Sequence, residues 1–250
     1  MTRRPKELNK NILMAFIPES TCLGIDIEWK RPNNFSSADE ENTWLQTSQM
    51  EAMEIKLNLE CGRLKPRDMP GRIIVEPKQR LIPKIESRRF EKELVEREVA
   101  LLTERDFVKL FSQLQDCLTL WNPDVCFTVL DKIKKMKLTK LMLLRNPDFV
   151  HKMRVLREFD GKEEEFKKDD LILRQKSSEI YDKFKKIFNT DLDSEEKFWN
   201  DFCEQVKVFN TLTKDMKKIF RTTLSEENYN RLLDAKKVST SDSTIEPDKC

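Results

Sequence analysis

Residues 120–127 read LWNPDVCF, a tryptophan set directly before an asparagine, a proline and an aspartate. Asn122 can accept an orphan backbone N–H, Pro123 suits the first helical position, and Asp124 complements the positive end of the helix dipole. The stretch predicts a helix starting there, with Trp121 in the turn ahead of it. Most chains place glycine or serine at such a corner, so the indole needs a reason. It can fold back on the helix's first turn near Cys126 as a hydrophobic staple. It can also be an apolar surface offered to a partner.

Outward from this corner the period is helical. Leu94, Val95, Val99 and Leu102 mark a lead-in helix. Thr103 then offers an N-cap with Asp106 three residues on, and Phe107, Leu110, Phe111, Leu114 and Leu118 repeat as far as Thr119. Beyond the corner, Val125, Val129, Ile133 and Met136 form the expected buried stripe. Thr139 to Leu144 reads as a short connecting helix. The Asn-Pro-Asp start recurs at 146–148 and opens a helix carrying Val150, Met153, Leu156 and Phe159, which Asp160-Gly161 should stop. The charged stretch KEEEFKKDD follows as a loop. Leu171, Ile172, Ile180, Tyr181, Phe184, Ile187 and Phe188 mark a further helix. The fold class is all-α, a compact bundle of two helical hairpins joined by a short helix.

A last helix should begin at Ser194 and carry Phe198, Phe202, Val206, Phe209, Met216 and Phe220, with a shorter one from Glu226 to Ala235. Trp199 to Phe220 also approximates a coiled-coil seam, which keeps a homo-oligomer open. Phenylalanine suits a globular groove better, so packing against the bundle is preferred. The polar tail 238–250 reads as flexible.

The first 88 residues show no sustained period. Prolines run from Pro5 to Pro83, and ILMAFI, LGIDIEW and RIIV are short apolar pieces in polar chain. Such composition offsets little chain entropy, so this region is expected to be largely disordered, its apolar pieces serving as linear motifs or transient strands. From Arg63 to Arg89 there are nine basic residues against three acidic ones. The run reads as a solvated linker first and a nucleic-acid contact second, and it lacks interleaved aromatic residues until Phe90.

Charged residues make up 37% of the chain, yet the net charge is only +2, so bulk attraction to nucleic acid is absent. Six cysteines stand far apart with no Cys-x-x-Cys pair, and His151 is the single histidine, which argues against a metal. The four glycines are isolated and form no phosphate-cradling loop. No catalytic residues and no cofactor are expected. No secretory or membrane-spanning run stands out, consistent with a reduced intracellular compartment.

The stretch LRQKSSEIYDKFKKIF (173–188), preceded by the two hairpins, resembles the integrase-binding domain of the lens epithelium-derived growth factor and hepatoma-derived growth factor-related family. LFSQLQDCLTLWNPDVCFTVLDKIKKMKL (110–138) matches its first hairpin in spacing and apolar positions, and the resemblance covers about residues 92–190. It implies a five-helix adaptor without catalysis. Its hairpin tips bind short, disordered motifs that are acidic and contain phenylalanine. Carried onto this chain, the tips comprise Leu120, Trp121 and Asn122 on one side and Phe159 on the other. Arg154 and Arg157 match basic positions that face acidic partner residues.

Three departures matter. Trp121 stands where the family has a partner-binding aspartate, and indole donates hydrogen bonds but does not accept them. Integrase binding is therefore not expected. Glu158 replaces a basic position. The family's chromatin-reading PWWP barrel has no strand pattern to match it in residues 1–90. The resemblance implies a nuclear adaptor for transcriptional or chromatin proteins, with nucleic-acid binding through 63–89 or oligomerisation through 194–220 as rival readings.

Overall fold

The computed structural model describes residues 11–18, 22–160, 167–189 and 195–241. Helices dominate, as expected from the periodicity. The chain divides into two compact units, 1–98 with 215–250 and 99–214.

The central unit is the expected bundle. Helix α2 (Lys84–Thr119) supplies its second half, followed by α3 (Pro123–Lys135), α4 (Lys140–Arg145), α5 (Pro147–Leu156), α6 (Lys167–Ile187) and α7 (Glu195–Thr213). Phe149 at the start of α5 sits at the centre. Its ring meets Phe107 at 4.6 Å, Phe111 at 5.0 Å and Phe184 at 5.7 Å, all edge to face. That geometry sets the positive edge of one ring on the negative face of another. Helix α7 joins the same core. Phe198 packs edge-on to Tyr181 at 5.3 Å and to Phe188 at 5.8 Å, and Phe202 meets Phe188 at 5.5 Å.

Several boundaries differ from the expectation. The lead-in segment and the helix after Thr103 are one continuous element, because no proline or glycine interrupts 84–119. The Thr103 hydroxyl donates back to the Val99 carbonyl at 2.8 Å instead of capping. Of the lead-in face, Leu94 packs, but Val95 and Val99 are exposed. Helix α5 ends at Leu156, before Phe159, and Gly161 lies outside the described residues. Part of the charged loop is helical, since α6 begins at Lys167. Ser194 lies outside the described residues. The long apolar stripe from Phe198 is cut after Thr213, and Phe220 belongs to a separate helix α8 (Lys218–Thr223). Helix α9 (Glu226–Ser241) runs past Ala235 into the expected tail, and 242–250 lie outside the described residues.

The larger correction concerns the first 88 residues. Strands β1 (Ile12–Ala15), β2 (Leu23–Asp26) and β3 (Ile73–Val75) form an open antiparallel sheet in the order β1-β2-β3, with α1 (Ala38–Glu60) between β2 and β3 in the chain. The segments predicted as loose are folded because both faces of this sheet are covered. Ala15, Leu23, Ile25, Ile27 and Ile73 pack with Ala52, Ile55 and Leu59 of α1. Ile12 and Met14 pack with Phe90 of α2. A strand buried on both faces shows a continuous apolar run rather than alternation, as ILMA does. The basic segment is likewise structured: Arg72 pairs with Glu51 at 2.9 Å, and Arg89 with Glu86 and Glu93 at 2.6 and 2.7 Å.

A buried charge network fastens this unit. The Glu60 carboxylate, with a wholly buried side chain, accepts from Lys56 Nζ at 2.5 Å, the Phe16 N–H at 2.9 Å, Asn228 Nδ2 at 2.6 Å and Arg97 Nη2. Arg97 also donates to Glu93 at 2.7 Å and to the Thr223 carbonyl at 3.0 Å. Burial alone would raise the Glu93 pKa. The charges of Lys56 and Arg97, with hydrogen bonds from Arg89 and Arg97, outweigh it and hold Glu93 at about 2.

Two outcomes follow for this unit. A carboxylate with a depressed folded pKa contributes stability above its unfolded pKa and loses it as pH falls towards the folded value. Urea unfolding read on amides of residues 11–98 should therefore show stability falling between about pH 4.5 and pH 2. Glu93→Gln should be less stable at neutral pH and flatter across that window. Arg97→Ala, which strips a partner from buried Glu60, should destabilise by about 3–5 kcal/mol; a loss below 1 kcal/mol would remove the network from its assigned role.

Candidate docking site at the helix corner

The corner between α2 and α3 is built by two caps sharing one residue. At the end of α2 the Leu120 N–H donates to the Asp116 carbonyl at 3.0 Å, and the Asn122 N–H reaches back to the Cys117 carbonyl at 2.8 Å. The second bond spans the last turn as in a Schellman motif, which requires a left-handed residue between. That residue is Trp121, with φ of +42°. At the start of α3, Asn122 Oδ1 accepts from the Val125 N–H at 3.3 Å and Pro123 takes the first helical position. The sequence motif is thus fulfilled, and Trp121 occupies the position where glycine is most at ease. A non-glycine residue there carries backbone strain of about 1–2 kcal/mol.

The ring offsets that strain by packing. Trp121 is half-buried and stacks on Phe159, with centroids 6.1 Å apart and planes inclined by 27°. Phe159 lies in the turn after α5, where the Glu158 N–H donates to the Val155 carbonyl at 3.1 Å. Leu120 is 82% exposed beside them. A groove of about 690 Å³ opens along α2 and α3, with Asp116, Leu120, Trp121, Asp124, Val125 and Lys132 in its wall. Below it, Cys117 and Cys126 are buried with their Sγ atoms 2.6 Å apart. Burial first, and then the neighbouring Cys117 thiol, pushes Cys126 up to about 12.

The structure brings Leu120, Trp121, Asn122 and Phe159 to this corner. Arg154 and Arg157 have other commitments. The Arg154 guanidinium lies over Trp199 at 4.8 Å, a ring that also meets His151 at 5.6 Å, and Arg157 lies over Tyr181 at 4.5 Å. A cation against a ring face keeps donor edges while its position is fixed. Asn122 serves its own helix as a cap. The groove was missed because Val125, expected in the core, is 44% exposed. The buried face of α3 is Cys126, Val129, Leu130 and Ile133. Treating Cys126 as a small apolar residue gives that stripe directly.

The half-buried rings of Trp121 and Phe159 thus meet at one end of an all-helical unit. Residues 104–212 match the family described as Lens epithelium-derived growth factor (LEDGF), in accord with the resemblance carried by 173–188. The match runs through most of α7, beyond the residues that first suggested it, in accord with the place of α7 in the core. No curated protein and no solved structure matches the chain.

The strain at Trp121 has a direct readout. Both Trp121→Gly and Trp121→Ala lose the ring, but only alanine must still hold a positive φ. The glycine variant should be the more stable of the two by about 1 kcal/mol in urea unfolding. Equal stabilities would mean that the left-handed corner is not held in solution.

Proposed function

We propose that the domain is a non-enzymatic nuclear adaptor that captures short acidic, phenylalanine-containing segments of transcriptional or chromatin proteins at the α2–α3 corner. The observation that carries this reading is Trp121, strained in the backbone, stacked on Phe159 and flanked by exposed Leu120. Glycine would take this backbone conformation without strain. A partner's apolar side chain enters beside Leu120, Trp121 and Phe159, and Arg154 and Arg157 meet flanking acids.

The family relationship supports an interaction role, and the loss of the aspartate at 121 separates the motif from that of integrase. A carboxylate at this corner would accept backbone N–H bonds, each worth about 1.5–3 kcal/mol when charge-assisted; the indole offers area and stacking instead. The rival readings have less support. Arg89 of the basic segment is engaged by the carboxylates of Glu86 and Glu93. Phe198, Phe202 and Phe209 of the proposed seam are buried in the chain's own bundle.

The test is a titration of the ¹⁵N-labelled full chain with an acidic peptide carrying two phenylalanines. Amide shifts concentrated in residues 118–124 and 154–160 are expected. The Trp121→Ala, Phe159→Ala double variant should keep its helical circular dichroism and lose binding by about tenfold or more, as removal of an aromatic anchor does. Unchanged affinity in that variant would sink the reading.

A further inference from the structure

A second candidate site lies in the terminal unit, where β2 turns towards α1. A cavity of about 360 Å³ is lined by Trp29, Lys30, Trp44, Glu51, Met69 and Arg72, among others. Its walls are built rather than left over. Gly71 has φ of +85°, and a Cβ there would collide with the Trp29 ring, so the indole lies directly on the backbone. Lys30 holds φ of +56°, and its ammonium sits 6.0 Å from the centre of that ring. Trp44 stands on α1 with Phe35 at 5.9 Å behind it. Ser48, which also lines the cavity, spends its hydroxyl on the Ile27 carbonyl.

Arg72 is the telling group. It is 9% exposed, its carbonyl accepts from the Asp26 N–H at 2.8 Å, and its Nη2 pairs with Glu51 at 2.9 Å. Its Nε–H finds no partner among the described residues. A buried donor left unmatched is destabilising and calls for an acceptor. Glu51 engages Arg72 through one oxygen, which leaves the other to accept from a ligand N–H.

The wall thus combines two indoles, two cations and one carboxylate. Aromatic faces beside a buried guanidinium and an exposed ammonium suit a planar ring carrying a negative group, since ring stacking and phosphate attraction then act together. A methylated ammonium ligand also seeks aromatic walls, but here it would meet Lys30 and Arg72 with only Glu51 in compensation. We propose that this cavity binds a nucleotide, its base against the indoles and its phosphate at Lys30 and Arg72. The volume falls within the range of small-ligand sites, about 300–1,000 Å³.

The full ¹⁵N-labelled chain is titrated separately with guanosine monophosphate, inorganic phosphate and trimethyl-lysine, following the indole N–H signals of the four tryptophans. Guanosine monophosphate should move Trp29 and Trp44 and leave Trp121 and Trp199 in place. Lys30→Gly, which the left-handed backbone accommodates, should keep the free spectrum and weaken binding about tenfold. If that variant disturbs the fold, Lys30→Asn replaces it, since asparagine also tolerates a positive φ. No response at millimolar nucleotide would overturn the proposal. So would the same shifts from phosphate alone, a response to trimethyl-lysine only, or unchanged affinity in the folded Lys30 variant.

Discussion

The reversal at Trp121 is the constraint on which the bundle's first hairpin depends. Helix α2 has 36 residues and no internal breaker, and nothing in its composition ends it at Thr119. What ends it is the pair of bonds that closes over residue 121, together with Asn122 and Pro123, which commit the next backbone groups to a new helix. The starting point and direction of α3 follow from that one left-handed residue and the cap behind it. The ring repeats the constraint at the level of packing, because its stack on Phe159 ties the first hairpin's tip to the turn after α5.

The terminal unit is held by a different kind of interaction. Its sheet has three strands of three or four residues, too little by itself to be stable in water. Two devices compensate. Both sheet faces are covered by helices, and the Glu60 carboxylate is surrounded by donors from α1, α2, α9 and the end of β1. A buried charge that is fully matched fixes geometry more than it adds stability, and removing one donor leaves the rest unbalanced. The unit is therefore specified by a few polar groups far apart in the chain: the Phe16 N–H and the side chains of Lys56, Glu60, Arg97 and Asn228.

This difference explains what the sequence revealed and what it hid. The central bundle is written locally: Asn-Pro-Asp starts at 122 and 146, a Thr139 cap, and apolar residues at helical spacing. Each signal sits within a few residues of its effect, whereas the tip residues Leu120, Trp121 and Phe159 were singled out by the family resemblance, periodicity alone having put Phe159 on the helix that ends at Leu156. The sheet is written non-locally. β3 pairs with β2 across about fifty residues, and strands covered on both faces lose the alternation that identifies them. Thr103 misled for the opposite reason, since a capping sequence is satisfied inside a helix once its hydroxyl bonds back to Val99. Nothing in residue spacing announced that Arg154 would settle on Trp199 of α7, which lies outside the segment that first carried the resemblance, or that Arg157 would settle on Tyr181 of α6.

Tryptophan at 121 changes what the corner can read. An acidic residue at a hairpin tip recognises the main chain of a bound segment, since its oxygens accept N–H groups that every sequence possesses; the flanking side chains then supply selectivity. An indole accepts nothing. In the proposed docking it would meet side chains, through area and through its quadrupole, and affinity would come from the residues of the motif rather than from its backbone. The groove beside it carries Asp116, Asp124 and Lys132, a mixed wall in which a uniformly acidic segment would meet repulsion at Asp116 of α2 and Asp124 of α3 and attraction only towards Lys132. The acids of the proposed partner are therefore placed on the Phe159 side, where Arg154 and Arg157 belong to the same hairpin, and its aromatic residue at Trp121. Polarity along the bound segment, with the apolar anchor on one side and the acids on the other, follows from the charge of the two walls alone.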